Sequence, residues 1–356
     1  MNNLSDIQIT RTTQSRLAKT DFDNLVFGET FSDHMFAADY MDGEWKNFQI
    51  LPYSEINISP SISALHYGQC FFEGLKAYRH IDGKVAVFRT DKNAERFNKS
   101  AERLCMPQLP VDIFINSITA LVDIDWNWVP SAANHSLYIR PFVFATDPFL
   151  GVTPSATYRY MVLAGPTGPY FSKLLKVKIE TQYTLAAEGG IGYAKAAGNY
   201  GGAMLPARKA AKEGFDQLIW TDAKTHHYIE EMGAANIMFM IDGKLITPSI
   251  EGNTILKGIT RDSVLTLARG WGVPVEERRV SVNEIIAGIE NSTLSDAFGT
   301  GTAFTITCIG SLAYNGTEYF LNNPDSGKFS DRVLNKLNQI RRGEAPDEYG
   351  WNHVLV

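Results

Sequence analysis

The chain has 356 residues, 44% hydrophobic and 20% charged, with 20 Phe and 15 Tyr, which suits a folded protein with two cores and excludes a disordered or fibrous one. A formal net charge of −6 without a run of like charges leaves no electrostatic footprint for nucleic acid or an acidic membrane surface. The cysteines Cys70, Cys105 and Cys308 are odd in number and far apart, with no CxxC and no HExxH, which argues against a disulfide framework or a zinc motif.

Residues 1–22 are polar and expected to be frayed, with order beginning near Leu25-Val26-Phe27-Gly28. The pattern to about Ser54 is β-prone, and Asp42-Gly43 marks a hairpin turn. Ser61 to Ala77 reads as a helix, although one built for stability alone would not contain Gly68 and Gly74. A second hairpin turns at Asp82-Gly83 and leads into a charged helix from Asp91, where Arg96 reads equally well as an i,i+4 partner on a solvated face. An amphipathic helix over 111–126 precedes a strand over 135–146, on which Tyr138 and Arg140 share one face by period-two alternation. An arginine inside so apolar a strand needs an anionic partner.

After a strand over 157–165, the run Gly165 to Tyr170 holds two prolines and two glycines and predicts an interdomain loop over 165–175. It would separate an N-terminal α/β domain, 1–164, from a C-terminal cofactor-binding domain, 176–356. That second domain is expected to run through a strand over 176–184, a helix from about 202, strands over 217–222 and 226–232, and a hairpin turning at Asp242-Gly243. A helix opening at 258–263, with Thr260 or Asp262 as caps, comes next. A strand and a helix lead to the run 295–304, a strand broken by a small-residue turn, and a further strand and a helix over 331–341 close the chain. No apolar signal core occurs in the first twenty residues and no apolar run is long enough to span a bilayer, so a cytoplasmic location is expected.

The most informative stretch is Gly189 to Leu205, GGIGYAKAAGNYGGAML, which sets Lys195 among residues with almost no side chains. Small residues let backbone approach a ligand closely, and a lysine shielded from water loses proton affinity and becomes nucleophilic toward a carbonyl. Alone, the pattern is better explained by a surface lysine in a flexible loop. Tyr200 follows five residues later, and Glu230 and Glu231 end a predicted strand, where alternation buries one and exposes the other. A buried carboxylate needs a cationic partner, and a protonated pyridine nitrogen of pyridoxal phosphate is one. The runs Ile259 to Ser263 and Gly299 to Ala303 offer backbone N–H groups and hydroxyls to a phosphate, whereas neither GxxxxGK[ST] nor GxGxxG occurs.

These residues resemble the branched-chain amino acid aminotransferases, pyridoxal-phosphate enzymes of fold type IV. The stretches that carry the resemblance include LVFGETFSDHM (25–35), LHYGQCFFEGLKAYR (65–79), LYIRPF (137–142), AKAAGNY (194–200), EEMGAAN (230–236), GITRDSVL (258–265) and FGTGTA (298–303), spread over nearly the whole chain in the family's order. The resemblance implies an α/β (α+β) fold with a small N-terminal domain and a larger C-terminal domain built on a pseudo-barrel sheet. It further implies reversible amino transfer between L-leucine, L-isoleucine or L-valine and 2-oxoglutarate, with ping-pong kinetics. Lys195 would hold the cofactor and move the proton at the substrate Cα, Glu231 would pair with the pyridine nitrogen, and Tyr200 would bond the cofactor's 3′ oxygen. Arg96, Ile259, Thr260 and Thr302 match the phosphate cradle. Phe27, Phe72, Tyr138 and Tyr170 match the apolar substrate walls, Arg140 the residue that meets the side-chain carboxylate of glutamate, and Ala303 the turn for the α-carboxylate. Tyr67 would reach the neighbouring subunit's pocket, which implies a homodimer. Ala234 stands where many relatives carry threonine or glycine, and Phe304 and Thr307 occupy the places of an animal CxxC pair, so thiol regulation of that kind is not expected. A D-amino acid aminotransferase or an aminodeoxychorismate lyase would share Lys195 and the cradle, so the distinction rests on Tyr67, Phe72, Tyr138 and Arg140. A non-catalytic small-molecule-binding protein on this fold would need no reactive lysine.

Overall fold

Two nine-stranded sheets, each with its own apolar core, carry the chain. The computed structural model describes residues 7–171, 173–321 and 328–355. The first unit comprises the chain up to Tyr170, the short segment Ala194–Ala197 and everything from Asn338 onward; the second comprises Phe171–Tyr193 and Gly198–Leu337.

The first unit contains β1 (Gln8–Ile9), β2 (His34–Met41), β3 (Glu44–Pro52), α1 (Ser63–Tyr67), β4 (Cys70–Phe72), β5 (Leu75–Arg79), β6 (Val85–Phe88), α2 (Thr90–Arg103), α3 (Val111–Ile124), β7 (Ser136–Ala145) and β8 (Tyr158–Thr167). Its strands run β1-β3-β2-β8-β7-β5-β6, with β4 paired to β7. Phe97 of α2 and Phe114, Ile118 and Leu121 of α3 share one core cluster with Leu75, Ala77, Val87, Leu137 and Ile139 of the strands. Alternation along β7 therefore turns Tyr138 and Arg140 away from that core.

Three segments differ from what the sequence predicts. The stretch 61–77 is not one helix: Gly68 adopts a left-handed conformation (φ 64°) that ends α1 after Tyr67, and the chain continues as β4 and β5. Residues 8–19 are held rather than frayed. β1 pairs in parallel with β3, the Thr12 N–H donates to His34 Nε2 (2.9 Å), and the Ser15 hydroxyl and Arg16 N–H both donate to Asp33 (2.6 and 2.8 Å). Gly165 lies inside β8 instead of opening a loop, and a Cβ there would sit 2.2 Å from the Thr30 carbonyl oxygen. Its role is close approach, not a turn.

The second unit contains β9 (Leu175–Ile179), α4 (Ala197–Lys212, its first residue grouped with the first unit), β10 (Gln217–Thr221), β11 (Ile229–Met232), β12 (Ala235–Ile241), β13 (Lys244–Pro248), α5 (Ile259–Gly270), β14 (Val275–Arg278), α6 (Val282–Glu290), β15 (Leu294–Gly301), β16 (Thr305–Tyr314), β17 (Thr317–Phe320) and α7 (Phe329–Arg341, which ends in the first unit). The order β11-β10-β9-β16-β15-β12 is closed by the β11–β12 pairing, so six strands form a barrel-like sheet. The small-residue run that was expected to break a strand instead stays in β15 through Gly301, and the turn falls at 302–304. β18 (Asn352–Leu355) pairs with β6, so the last residues complete the first sheet although the sequence reading carried the second domain to residue 356.

Candidate active site

In the first unit Phe72 is the hub. Its N–H donates to the Lys195 carbonyl (3.2 Å), Phe71 bridges to Ala196, and the Lys195 N–H donates to the Ser100 hydroxyl (2.9 Å). The lysine segment is thus stitched to β4 and α2, so Lys195 groups with the first unit although the sequence reading set it in the C-terminal domain. Over the Phe72 ring lie two cations, the Lys195 amine at 5.1 Å and the Arg140 guanidinium at 4.4 Å from its centroid. Arg140 Nη2 donates to the Tyr138 hydroxyl at 3.0 Å, and Phe27 packs edge-on against both Tyr138 (4.8 Å) and Tyr170 (5.2 Å). Phe27, Phe72, Tyr138, Arg140, Tyr170 and Lys195 are therefore one connected constellation.

Among the described residues no side-chain carboxylate supplies the anionic partner expected for Arg140. Its Nε is buried and has no hydrogen-bond partner among the described residues, and a small cavity lined by Phe27, Phe31, Tyr138, Arg140, Gly165 and Thr167 adjoins it. A half-buried guanidinium on an aromatic wall beside a cavity suits a ligand that is apolar along its length and anionic at its end. Arg96 is engaged by Glu73, which is fully buried: Arg96 Nε donates to Glu73 Oε1 (2.7 Å) and Nη2 to Oε2 (2.8 Å). Tyr67 is 45% exposed and donates to the Leu150 carbonyl (2.7 Å).

In the second unit Glu231 is buried on β11, and its Oε1 accepts from the Asn236 amide (3.1 Å) and from the Leu256 N–H (3.3 Å). Its neighbour Glu230 is pushed up by burial, against which a hydrogen bond to Thr254 acts. Gly258 precedes α5, and a Cβ there would lie 1.8 Å from Asn236 Oδ1, so only glycine lets the chain pass. It is also the N-cap, in place of the expected Thr260 or Asp262, and provides no side-chain cap for the helix. Ile259 and Thr260 consequently offer first-turn N–H groups at the positive end of a twelve-residue helix. Thr302 and Ala303 sit in the β15–β16 turn, and the buried Thr300 hydroxyl has no partner among the described residues. Tyr200 lies in the first turn of α4, where the neighbouring Asn199 amide donates to the Ile191 carbonyl (3.0 Å). A buried carboxylate, an uncapped helix start and an unpartnered hydroxyl fit a phosphorylated heteroaromatic cofactor. The Thr307 hydroxyl donates to the Phe304 carbonyl (2.9 Å).

Thr300 is one of the hydroxyls of the Gly299 to Ala303 run expected to face a phosphate, whereas Glu73, Ser100 and Asn236 carry no such expectation from the sequence. Of these three only Glu73 had a local signal, its place beside the unusual Gly74; the other two act through contacts made across long sequence separations.

Among the described residues no helix is long and apolar enough to cross a membrane, and no cluster of His, Cys, Asp and Glu is arranged to hold a metal ion. Residues 70–312 match the family model for amino-transferase class IV. The chain is 41% identical over 343 residues to branched-chain-amino-acid aminotransferase 2 of Bacillus subtilis (strain 168), covering 95% of this chain and 94% of that one. Its fold is similar to the solved branched-chain amino acid aminotransferase from Escherichia coli, with a TM-score of 0.72, 26% identity, and coverage of 90% of this chain and 98% of that one. The fold is similar as well to that of the branched-chain amino acid aminotransferase from Thermobaculum terrenum in its PLP-form, with a TM-score of 0.73, 23% identity, and coverage of 92% of this chain and 99% of that one.

Proposed function

This chain belongs to the class IV aminotransferases, and from that we propose that it transfers the amino group of L-leucine, L-isoleucine or L-valine to 2-oxoglutarate, reversibly, with pyridoxal 5'-phosphate as cofactor. The observation that carries the substrate class is Arg140, held by Tyr138 and Phe72 with its Nε unpartnered, within a wall of Phe27, Tyr138 and Tyr170. Such a pocket accepts an aliphatic side chain against its rings and a side-chain carboxylate at its cation. The two substrates use it in turn, giving ping-pong kinetics.

Bound pyridoxal phosphate supplies the electron sink that stabilises negative charge at the substrate Cα. Lys195 Nζ would hold the cofactor and would act as the base that moves the proton at the substrate Cα. The buried Glu231 would pair with the pyridine nitrogen, and its carboxylate charge would favour the protonated form of that nitrogen. Tyr200 orients the ring, Arg96, Ile259, Thr260 and Thr302 hold the phosphate, and Ala303 receives the substrate's α-carboxylate. A homodimer is supported by exposed apolar residues near Tyr67: Leu65, Phe149, Leu150 and Val152 are each more than half exposed. The free thiols of Cys70, Cys105 and Cys308 support a cytoplasmic setting.

The test is the visible spectrum of the purified protein with added cofactor, before and after L-isoleucine and, separately, D-alanine. A yellow band that bleaches with L-isoleucine and returns with 2-oxoglutarate is expected. Bleaching by D-alanine alone would move the substrate class to D-amino acids, bleaching by neither would point to a lyase, and a protein that never colours would end the enzyme reading. Sedimentation at micromolar concentration tests the dimer, and a monomer there would remove it.

A further inference from the structure

The fully buried Glu73 occupies the two-residue break between β4 and β5, where one carboxylate serves three donors. Oε1 accepts from Arg96 Nε (2.7 Å); Oε2 accepts from Arg96 Nη2 (2.8 Å) and from the Gly74 N–H (3.1 Å). The Glu73 N–H is itself tied to the Pro141 carbonyl (2.7 Å), next to Arg140 in β7. A two-pronged carboxylate–guanidinium pair fixes the guanidinium plane, so Glu73 decides how the Arg96 guanidinium is oriented. The residue on either side of Glu73 faces the substrate wall. Phe72 underlies Arg140 and Lys195, and Gly74 lies so close to the Tyr138 hydroxyl that a Cβ would come within 2.3 Å of it.

We infer that Glu73 is a positioning residue that aims Arg96 at the cofactor phosphate and, through the Gly74 amide, ties that aim to the Tyr138–Arg140 wall. This rests on Arg96 being part of the phosphate cradle. Glu73 forms no bond to substrate in this role. It orients a cation whose charge it largely balances, so its effect on anion binding is one of direction and not of added field.

The experiment compares pyridoxal 5'-phosphate with pyridoxal, which lacks the phosphate, as ligands of the apo-protein, read by absorbance titration. In Glu73→Gln the side-chain amide would place a donor against Arg96 Nη2. Affinity for pyridoxal phosphate should then fall by about 10- to 100-fold, the range seen when outer-shell partners are removed elsewhere, while affinity for pyridoxal stays within about twofold. Equal loss for both ligands would mean a merely structural pair and would overturn the inference, as would no loss for either. Should Glu73→Gln not fold, Glu73→Asp keeps the charge but is too short to serve all three donors, and its phosphate discrimination should fall by less; wild-type discrimination in that variant overturns the inference. Arg96→Ala is measured in parallel. If it loses discrimination and the Glu73 variants do not, the cradle assignment stands and this inference fails; if it keeps discrimination, the assignment of Arg96 fails and the inference with it.

Discussion

Replacing Gly74 by alanine should change which amino acid the protein prefers while hardly affecting its fold. No positive φ is required at Gly74, so the backbone accepts alanine; the difficulty is space. The new Cβ would lie 2.3 Å from Tyr138 Oη and 3.0 Å from Cζ, so the phenol end of the ring has to move. Phe27, 4.8 Å away edge-on, limits the directions open to it. Because the displaced atoms end one side chain, overpacking should cost only about 1 kcal/mol of stability, the low end of its usual range. The 3.0 Å bond from Arg140 to the Tyr138 hydroxyl, however, is lost. A hydrogen bond to a charged group contributes about 1.5–3 kcal/mol, which is about 10- to 150-fold in an equilibrium or rate ratio. An aliphatic donor does not need the guanidinium aimed, and a carboxylate-bearing one does. Single-turnover bleaching by L-leucine and by L-glutamate measures the two directly. The leucine-to-glutamate ratio should rise by about that factor, with a small change in melting temperature. An unchanged ratio, or equal losses for both donors, would refute the reasoning.

Lys195→Ala should remove turnover while leaving the circular dichroism spectrum unchanged, and near-wild-type kcat would sink the proposed proton transfer. Arg140→Ala should impair the half-reaction with L-glutamate more than that with L-leucine, by about tenfold or more if one charged hydrogen bond to the carboxylate is lost; equal impairment would remove its assigned role. Lys76 on β5 is buried, and burial, followed by the nearby Arg341 charge, lowers its pKa to about 7. Between pH 7 and the ordinary value of 10.5 the unfolded chain binds a proton that the folded one does not, so this lysine makes stability rise with pH across that window. Lys76→Met should therefore compare most favourably with wild type below pH 7 in denaturant melts and lose that advantage toward pH 10.5; a pH-independent difference would contradict the shift.

Hairpins at Asp42-Gly43 and Asp242-Gly243 were legible because their turn chemistry is local: both aspartates do adopt the positive φ that such turns need. The pair Tyr138 and Arg140 was legible because alternation along a strand needs no knowledge of what lies opposite. The helix expected over 61–77 failed for a connected reason. Its aromatic and aliphatic residues satisfy a helical period, but Gly68 stops the helix, and the glutamate that would have been a solvated helical side chain becomes the buried Glu73. Once that helix was assumed, nothing local marked Glu73 as important. The N-terminal residues were expected to fray because their anchors, His34 and Asp33, contact them only after the chain has folded back. Residues 352–355 give no sign in sequence that their partner is β6.

That last pairing bears on how the protein comes into being. β6 is among the earlier strands to be synthesised, yet its antiparallel neighbour β18 lies more than 250 residues further along the chain. The segment 194–197, which brings the Lys195 amine to Phe72, likewise arrives only after β9 of the other sheet has been made. A first sheet formed during synthesis would therefore have the β6 edge unpaired and the segment 194–197 missing. Such an edge is a template for wrong partners, so aggregation during slow translation or after C-terminal truncation should begin at β6.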